Sequence, residues 1–197
     1  MAGSDPPRFY LLEQDLYLHG TWGVSDGPEE LDPVDLLAGI ALTPAAVPVD
    51  VELSESSGDA RPDIVLSLLP LFSARLRQAL EQAGVDNVQY VEARLRHPEG
   101  HAIESGYFVA NVLGRVRAVD LGRSRFGPAS GDIEGDLLDF TIDPSASRYL
   151  RFFPLDESPI LIVIDEPLKL ALESAGLVGL ELLPTTAWTG IPGQGGI

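Results

Sequence analysis

Residues 68–95 read LLPLFSARLRQALEQAGVDNVQYVEARL and combine a helical pattern with a strand pattern. Over residues 68–83, apolar side chains recur at steps of three and four, which predicts an amphipathic helix. Gly84 suits the C-terminal cap of this helix. Over residues 88–95, apolar and polar residues alternate, which predicts a half-buried strand. The segment therefore indicates a fold that contains both helices and strands.

The rest of the chain adds mainly strands. A second helix is predicted between Asp165, which suits its N-cap, and Gly176, which suits its end, with Pro167 in the first turn. Its predicted buried stripe consists of Leu168, Leu172 and Ala175. Strand composition recurs at residues 8–12 (ahead of an acidic turn), 47–53, 107–113, 116–121, 137–142, 149–153, 160–164 and 180–183. Many strands with two main helices and no regular βαβ alternation predict an α+β fold with a largely antiparallel sheet. We expect one domain over residues 8–188, between flexible tails at 1–7 and 189–197.

The composition narrows the class of protein. The absence of cysteine excludes disulfides, thiolate metal sites and cysteine nucleophiles. The first eight residues, MAGSDPPR, lack the apolar region of a signal peptide, and the longest apolar stretches are too short to span a membrane. These features predict a soluble cytoplasmic protein that does not contact membranes.

Negative charge is concentrated in the N-terminal third. The formal net charge is −17, and residues 1–60 hold twelve acidic residues against one base, Arg8. Such a field repels nucleic acid and favours a basic protein partner, although acidity also serves solubility alone. Residues 20–35 form a Gly-, Pro- and acid-rich loop in which Trp22 is the one large apolar residue.

Catalytic and metal-binding patterns are weak. His97 and His101 are four residues apart, but Pro98 and Gly100 between them disfavour the helix that would point both at one metal ion. A second acidic cluster does not fit the register of a calcium loop; its residues are Asp132, Glu134, Asp136 and Asp139. We therefore predict no catalytic residue, no metal site and no cofactor. A small metal-dependent or carboxylate-based hydrolase built on these residues is the alternative.

Basic residues concentrate between residues 94 and 125. Six arginines stand in pairs spaced two apart, so that each pair shares one face of a strand: Arg94, Arg96, Arg115, Arg117, Arg123 and Arg125. They could hold an anion or an acidic partner, or pair with the acid-rich N-terminal third.

An ordered set of short motifs follows the first helix. Tyr107 and Asn111 lie in GYFVANVL, which leads to Asp120, and Arg151 lies in LRFF. The strand–helix unit IVIDEPL then runs to AGLVGL at residues 175–180. Over residues 63–183 this order resembles the eleventh immunity-protein family of bacterial polymorphic toxin systems, first catalogued as a domain of unknown function.

The resemblance implies a small α+β protein that binds a toxin encoded by an adjacent gene and blocks it, with no catalytic residues. A regulatory or scaffold module unrelated to toxins is a further alternative, and self-association stays open. Residues 26–35 offer the surface where specificity for a basic toxin would vary. We therefore predict a partner-binding site formed by Trp22, Asp26, Glu29, Glu30, Asp32 and Asp35.

Overall fold

A computed structural model of the chain describes residues 8–43, 48–67, 69–98, 103–128, 136–147 and 150–191. Within these residues the strands are β1 (Phe9–Gln14), β2 (Val24–Asp26), β3 (Val49–Leu53), β4 (Ile64–Val65), β5 (Leu71–Ser73), β6 (Val88–Arg96), β7 (Ile103–Val112), β8 (Phe152–Pro154), β9 (Ile162–Asp165) and β10 (Leu180–Pro184). The helices are α1 (Pro33–Ala38), α2 (Ala74–Gln82) and α3 (Glu166–Ser174), and a short 3₁₀ turn, Thr185–Ala187, follows β10. No helix of the described residues is long and apolar enough to cross a membrane.

The strands form two sheets. One has four strands in the order β10-β1-β9-β8, and the other has six in the order β2-β3-β6-β7-β5-β4. Among these strands β3 and β6 pair in parallel, and the other neighbours pair antiparallel. The predicted α+β class with a largely antiparallel sheet and helices is confirmed.

Helices α2 and α3 pack in a core that both sheets share. Tyr10 and Leu12 of β1 join Ala110 of β7 in one apolar cluster, together with Leu76 of α2 and Leu168 of α3. The alternate residues of β1, Phe9 and Leu11, belong to a different cluster. That cluster includes side chains from residues 116–119 and 137–142, which cover the other side of the four-stranded sheet. Alternation along β1 thus separates two apolar layers.

The six-stranded sheet is covered on its other face by the N-terminal region. Val51 of β3 and Val109 of β7 are fully buried there. They share an apolar cluster with Trp22, Leu31 and Leu36, which come from the loop before α1 and from α1 itself. The acid-rich segment is therefore the outer layer over this sheet.

A buried carboxylate joins the two parts of the fold. Asp63 is 2% exposed and accepts a hydrogen bond from the Ser73 hydroxyl at 2.5 Å. It also accepts from Arg75 at 2.9 Å and from the backbone N–H of Val178 at 2.7 Å. These contacts tie the residues before β4 to the start of α2 and to the connection between α3 and β10. Such a network stabilises a fold because every donor meets an ionised acceptor.

The helix predicted over residues 68–83 is wrong over residues 69–73. Helix α2 begins at Ala74, and Leu71–Ser73 forms β5, which pairs with β7. Ser73 has an extended backbone, and its side chain accepts the N–H of Leu76, so it caps the helix. Pro70 lies just before β5, and its neighbours Leu71 and Phe72 are fully buried in the sheet. Apolar residues of a buried strand therefore matched the helical period by coincidence.

Three further predictions need correction. Residues 116–121 and 137–142 form isolated bridges rather than strands, because only single positions such as Val119 and Ile142 meet across the irregular layer. The loop predicted over residues 20–35 contains β2 and the start of α1. The acidic turn predicted after Leu12 is still strand, so Glu13 lies within β1. The second predicted helix is confirmed as α3, capped by Asp165, but Ala175, which was predicted to be buried, is exposed at its C-cap. Residues 180–183 are confirmed as part of β10.

Candidate partner-binding site

Five of the predicted partner-binding residues lie close together in sequence around α1. Asp26 ends β2, Glu29 and Glu30 occupy the following turn, Asp32 is the N-cap of α1 and Asp35 lies in its first turn. All five are exposed. We call residues 24–35 the acidic loop. The structure thus brings these carboxylates to one segment of the surface, while their role in binding stays a prediction.

Trp22, the sixth predicted residue, anchors this loop. It is 3% exposed, and its indole Nε1 donates to the carbonyl oxygen of Gly58 at 2.9 Å. Its ring packs edge-on against His97 and at a tilt against Tyr107, with centroid distances of 5.4 and 5.3 Å. A side chain this buried offers a partner little surface, so the geometry supports a positioning role for Trp22.

Gln14 holds the other side of the loop to the four-stranded sheet. Its side chain is 3% exposed and donates to the carbonyl oxygen of Trp22 at 2.8 Å and to the hydroxyl of Thr21 at 3.1 Å. Its amide oxygen accepts the N–H of Leu66 at 2.9 Å. The buried amide therefore joins β1, the entry to the acidic loop and the segment after β4.

Helix α1 is fixed at both ends. At its start, the Asp32 carboxylate accepts the N–H of Val34 at 2.8 Å. At its end, Gly39 adopts the left-handed conformation with φ 64°, and its carbonyl oxygen accepts the N–H of Gly114 at 3.1 Å. A Cβ atom on Gly39 would lie 2.9 Å from the backbone nitrogen of Gly114. This close approach requires glycine, and it holds the helix against the end of β7.

The carboxylates of the acidic loop are not neutralised within the described part of the chain. None of Asp26, Glu29, Glu30, Asp32 and Asp35 forms an ion pair with a described residue. The negative field of the loop is therefore available to a partner.

Asp50 on β3 provides the contrast. It accepts from Arg96 at 2.9 Å and lies 2.9 Å from Arg94. The hydrogen bond from Arg96, supported by the nearby positive charge of Arg94, lowers the pKa of Asp50 below its usual value. Acidity outside the loop is thus compensated at this position.

Two neighbouring cavities open beside the acidic loop. The first, which we call the acidic groove, has a volume of about 610 Å³ and is lined by Asp26, Glu29 and Asp32 and by the apolar Leu31. The second, which we call the apolar pocket, has a volume of about 270 Å³. Ser67 lines both cavities. A charged groove and an apolar recess therefore adjoin at Ser67.

The walls of the apolar pocket come from distant parts of the chain. Leu37 of α1, Val112 of β7 and Ile160, which precedes β9, supply its apolar lining. Its polar lining residues are Glu13 and Ser67. Sequence reasoning did not find this pocket. The one local sign that Glu13 is buried was its position two residues after Leu11, because residues two apart lie on the same face of a strand.

Glu13 is buried without a compensating partner. It is 6% exposed, and no described residue pairs with its carboxylate as a cation or donates a hydrogen bond to it. Glu181 of β10 stands directly opposite in the strand register. Burial, together with the like charge of Glu181, raises the pKa of Glu13 to about 7. A carboxyl that changes charge near neutral pH thus lines an apolar recess.

The residues considered for catalysis are dispersed or engaged in structure. The ring of His97 packs on Trp22, and Asp139 forms an ion pair with Arg125. Asp136 is exposed, whereas His101, Asp132 and Glu134 lie outside the described residues. No group of three or more histidine and acidic side chains within the described ranges could hold a metal ion.

Most of the clustered arginines are paired. Arg94 and Arg96 form ion pairs with Asp50. This matches the predicted alternative in which the arginines pair with the acid-rich N-terminal third. Arg115 and Arg117 lie within 3.4 Å and 3.1 Å of Asp156, which belongs to the C-terminal half. Arg125 pairs with Asp139. The paired arginines are thus spread over three separate carboxylates and do not form one anion-binding cluster.

The motif residues that carry the family resemblance have structural contacts. The Tyr107 hydroxyl donates to the carbonyl oxygen of Pro62 at 3.0 Å, and the fully buried Asn111 donates to that of Ile40 at 2.7 Å. Arg151 donates to Asp165 and to the carbonyl oxygen of Ala83, both at 2.9 Å. Asp120 accepts the N–H of Gly122 in a turn. Gly176 and Gly179 adopt φ of 61° and 74° after α3. These motifs therefore maintain the fold.

Comparison with known proteins places this framework in a family. The sequence model described as "Immunity protein family (Imm11)" matches residues 66–186, which is well over half of the chain. No curated protein matches the chain. The match begins after β4, ends at the 3₁₀ turn and leaves out the acidic loop and β1. It confirms the resemblance seen in the ordered motifs, and the chain belongs to the Imm11 immunity protein family.

Proposed function

We propose that this protein binds a bacterial toxin and neutralises it by protein–protein association, without catalysis of its own. Membership of an immunity protein family is the observation that carries the proposal. The toxin would be the product of an adjacent gene, and the protein would act in the cytoplasm of the cell that makes both.

We further propose that the acidic loop is the toxin-binding surface. Its five exposed carboxylates have no cation partner among the described residues, so a basic surface could approach without displacing existing ion pairs. Its anchors, Trp22 and Gln14, hold the loop in place before binding, which reduces the entropy lost on association. The loop lies outside the matched residues 66–186, so the family match places no constraint on its sequence.

Co-expression with the neighbouring gene tests the function. Cells that express the adjacent toxin alone should stop growing, and cells that also express this protein should grow and yield a co-purified complex. Toxicity that persists, with no complex recovered, would contradict the proposal.

Charge-neutralising variants test the surface. The variant Glu29→Gln, Glu30→Gln, Asp35→Asn removes three carboxylates that make no hydrogen bond with described residues. A control variant with the same change in net charge carries Asp86→Asn, Glu92→Gln and Asp136→Asn, three exposed positions outside the loop. We expect the loop variant to associate with the toxin roughly tenfold more slowly and the control less than about threefold more slowly. Equal effects would show that net charge, and not the loop, governs association.

A further inference from the structure

The apolar pocket adjoins the acidic groove at Ser67, so a partner on the acidic loop would lie beside the pocket. The pocket's side chains come both from the matched region (Val112, Ile160) and from outside it (Glu13, Leu37). The matched region thus supplies apolar walls, and the N-terminal part supplies the acid.

Glu13 is the chemical feature of this pocket. A carboxylate that is 6% exposed and has no cation or donor among the described residues is costly, because only limited contact with water solvates its charge. Glu181 is the charged group that faces it, from β10, and the α1, β7 and β9 residues along the cavity are apolar. No cation among the described residues therefore offsets the charge on Glu13.

The pocket selects one kind of occupant. Its volume of about 270 Å³ lies below the roughly 300–1,000 Å³ of typical small-molecule sites but has room for a long side chain. Apolar walls favour a hydrocarbon stem, and the buried carboxylate favours a cation at its end. Lysine and arginine combine these two properties. The neighbouring carboxylates of Asp26, Glu29 and Asp32 favour a basic partner surface as well.

We infer that the apolar pocket receives a lysine or arginine side chain of the toxin, with its stem against Leu37, Val112 and Ile160 and its cation at Glu13. The inference rests on the proposed function, since it names the toxin group that the surface recognises. Binding would give the Glu13 carboxylate a cation partner, which no described residue of the free protein provides. The interaction would fix the position of the toxin, while the acidic loop would mainly accelerate its approach.

Calorimetric titration of the full-length protein with the neighbouring toxin tests this contact. We expect Glu13→Gln to weaken binding on the order of thirtyfold at pH 8, because the toxin cation then lacks a charged partner. Glu181→Gln is the matched control, because it removes one negative charge from the neighbouring strand at a residue that does not line the pocket. It should alter the dissociation constant less than about threefold. Wild-type binding by Glu13→Gln would overturn the inference.

A second variant tests the pocket with the carboxylate in place. Ile160 is 56% exposed and lines the cavity, so Ile160→Trp should fill it without disturbing a buried site. We expect this variant to bind as weakly as Glu13→Gln, and unchanged binding would likewise overturn the inference. A wild-type protein that binds no toxin would refute the proposed function, whereas binding that is insensitive to both variants would refute the pocket alone.

A small amine can distinguish a pocket that binds a toxin side chain from a pocket that binds a free ligand. Butylammonium has an alkyl stem and a cation, and carboxyl NMR of Glu13 reports its entry. Displacement of butylammonium by toxin would support the inference, since both would then compete for one site. Butylammonium binding that persists in the toxin complex would identify a small-amine site and overturn it.

Discussion

At the scale of single residues, Glu13 stands out because its carboxyl opposes folding when it is ionised. In an unfolded chain its pKa would be near 4.5, whereas in the folded protein it is raised to about 7. Between these values the folded state binds more protons than the unfolded state, so this residue makes stability fall as the pH rises from about 4.5 to about 7. Above pH 7 the full cost, at most about 3 kcal/mol, is present.

Glu13→Gln should therefore stabilise the protein at high pH only. We expect its free energy of unfolding to exceed that of the wild type by about 1–3 kcal/mol at pH 8 and to differ little at pH 4.5. Urea denaturation at a series of pH values measures the difference. Glu181→Gln, which removes the facing charge but leaves Glu13 buried, should give a smaller gain. A constant difference across the pH range would contradict the assigned titration.

Asp32 combines two roles that can be separated by substitution. It caps α1 through its hydrogen bond to the N–H of Val34, and it carries one of the exposed charges of the acidic loop. Asparagine caps helices about as well as aspartate, whereas alanine does not. We expect Asp32→Asn to keep wild-type stability and Asp32→Ala to cost about 1 kcal/mol in unfolding free energy, measured by urea denaturation. If the acidic loop binds the toxin, both variants should slow association. Equal stability of the two variants would show that the cap contributes nothing.

At the scale of elements, the Asp63 network connects segments that are distant in sequence. Its carboxylate accepts from Ser73 at the start of α2, from Arg75 within α2 and from Val178 after α3. We expect Asp63→Ala to cost about 3 kcal/mol, because several donors lose an ionised acceptor at a site that is nearly inaccessible to water. Urea denaturation at pH 7 measures this loss.

An exposed ion pair provides the comparison for Asp63. The side chain of Arg61 is 71% exposed and pairs with Glu104 at 2.8 Å. Arg61→Ala should cost less than about 1 kcal/mol, because exposed ion pairs contribute little. Similar losses for Asp63→Ala and Arg61→Ala would mean that the buried network is not a main connection between these elements.

The elements also show which features sequence patterns can predict. Alternation correctly predicted β6, and the capping residues of α3 were visible as Asp165 and Gly176. The start of α2 was missed because the apolar side chains of β5 continue the helical spacing of α2, and tertiary pairing with β7 decides their conformation. Charge indicated the acidic loop, but the apolar pocket joins residues 13, 37, 112 and 160, which no local pattern relates.

At the scale of the whole molecule, both sheets contribute to one apolar cluster around α2 and α3. That residues 8–188 form one domain stays a prediction, and this shared core supports it. The framework of this domain and the acidic layer on its surface are formed by different parts of the sequence. The matched residues 66–186 form most of the framework, whereas the charge of the acidic loop lies before them.

The uneven charge of the molecule leads to a last prediction, on the rate of toxin association. The protein has a net charge of −17, and its acidic loop has no cation partner among the described residues. It should therefore attract a basic toxin over a distance comparable to the Debye length, about 10 Å at 0.1 M salt. We expect the association rate, measured by stopped flow, to fall on the order of tenfold between 0.02 and 0.5 M salt, with a smaller change in the dissociation rate. The variant Glu29→Gln, Glu30→Gln, Asp35→Asn should show a flatter salt dependence, and the control at Asp86, Glu92 and Asp136 should follow the wild type. An association rate that does not change with salt would exclude electrostatic attraction. The charged interaction left to test would then be the buried contact at Glu13, because salt screens a pair that is shielded from solvent far less.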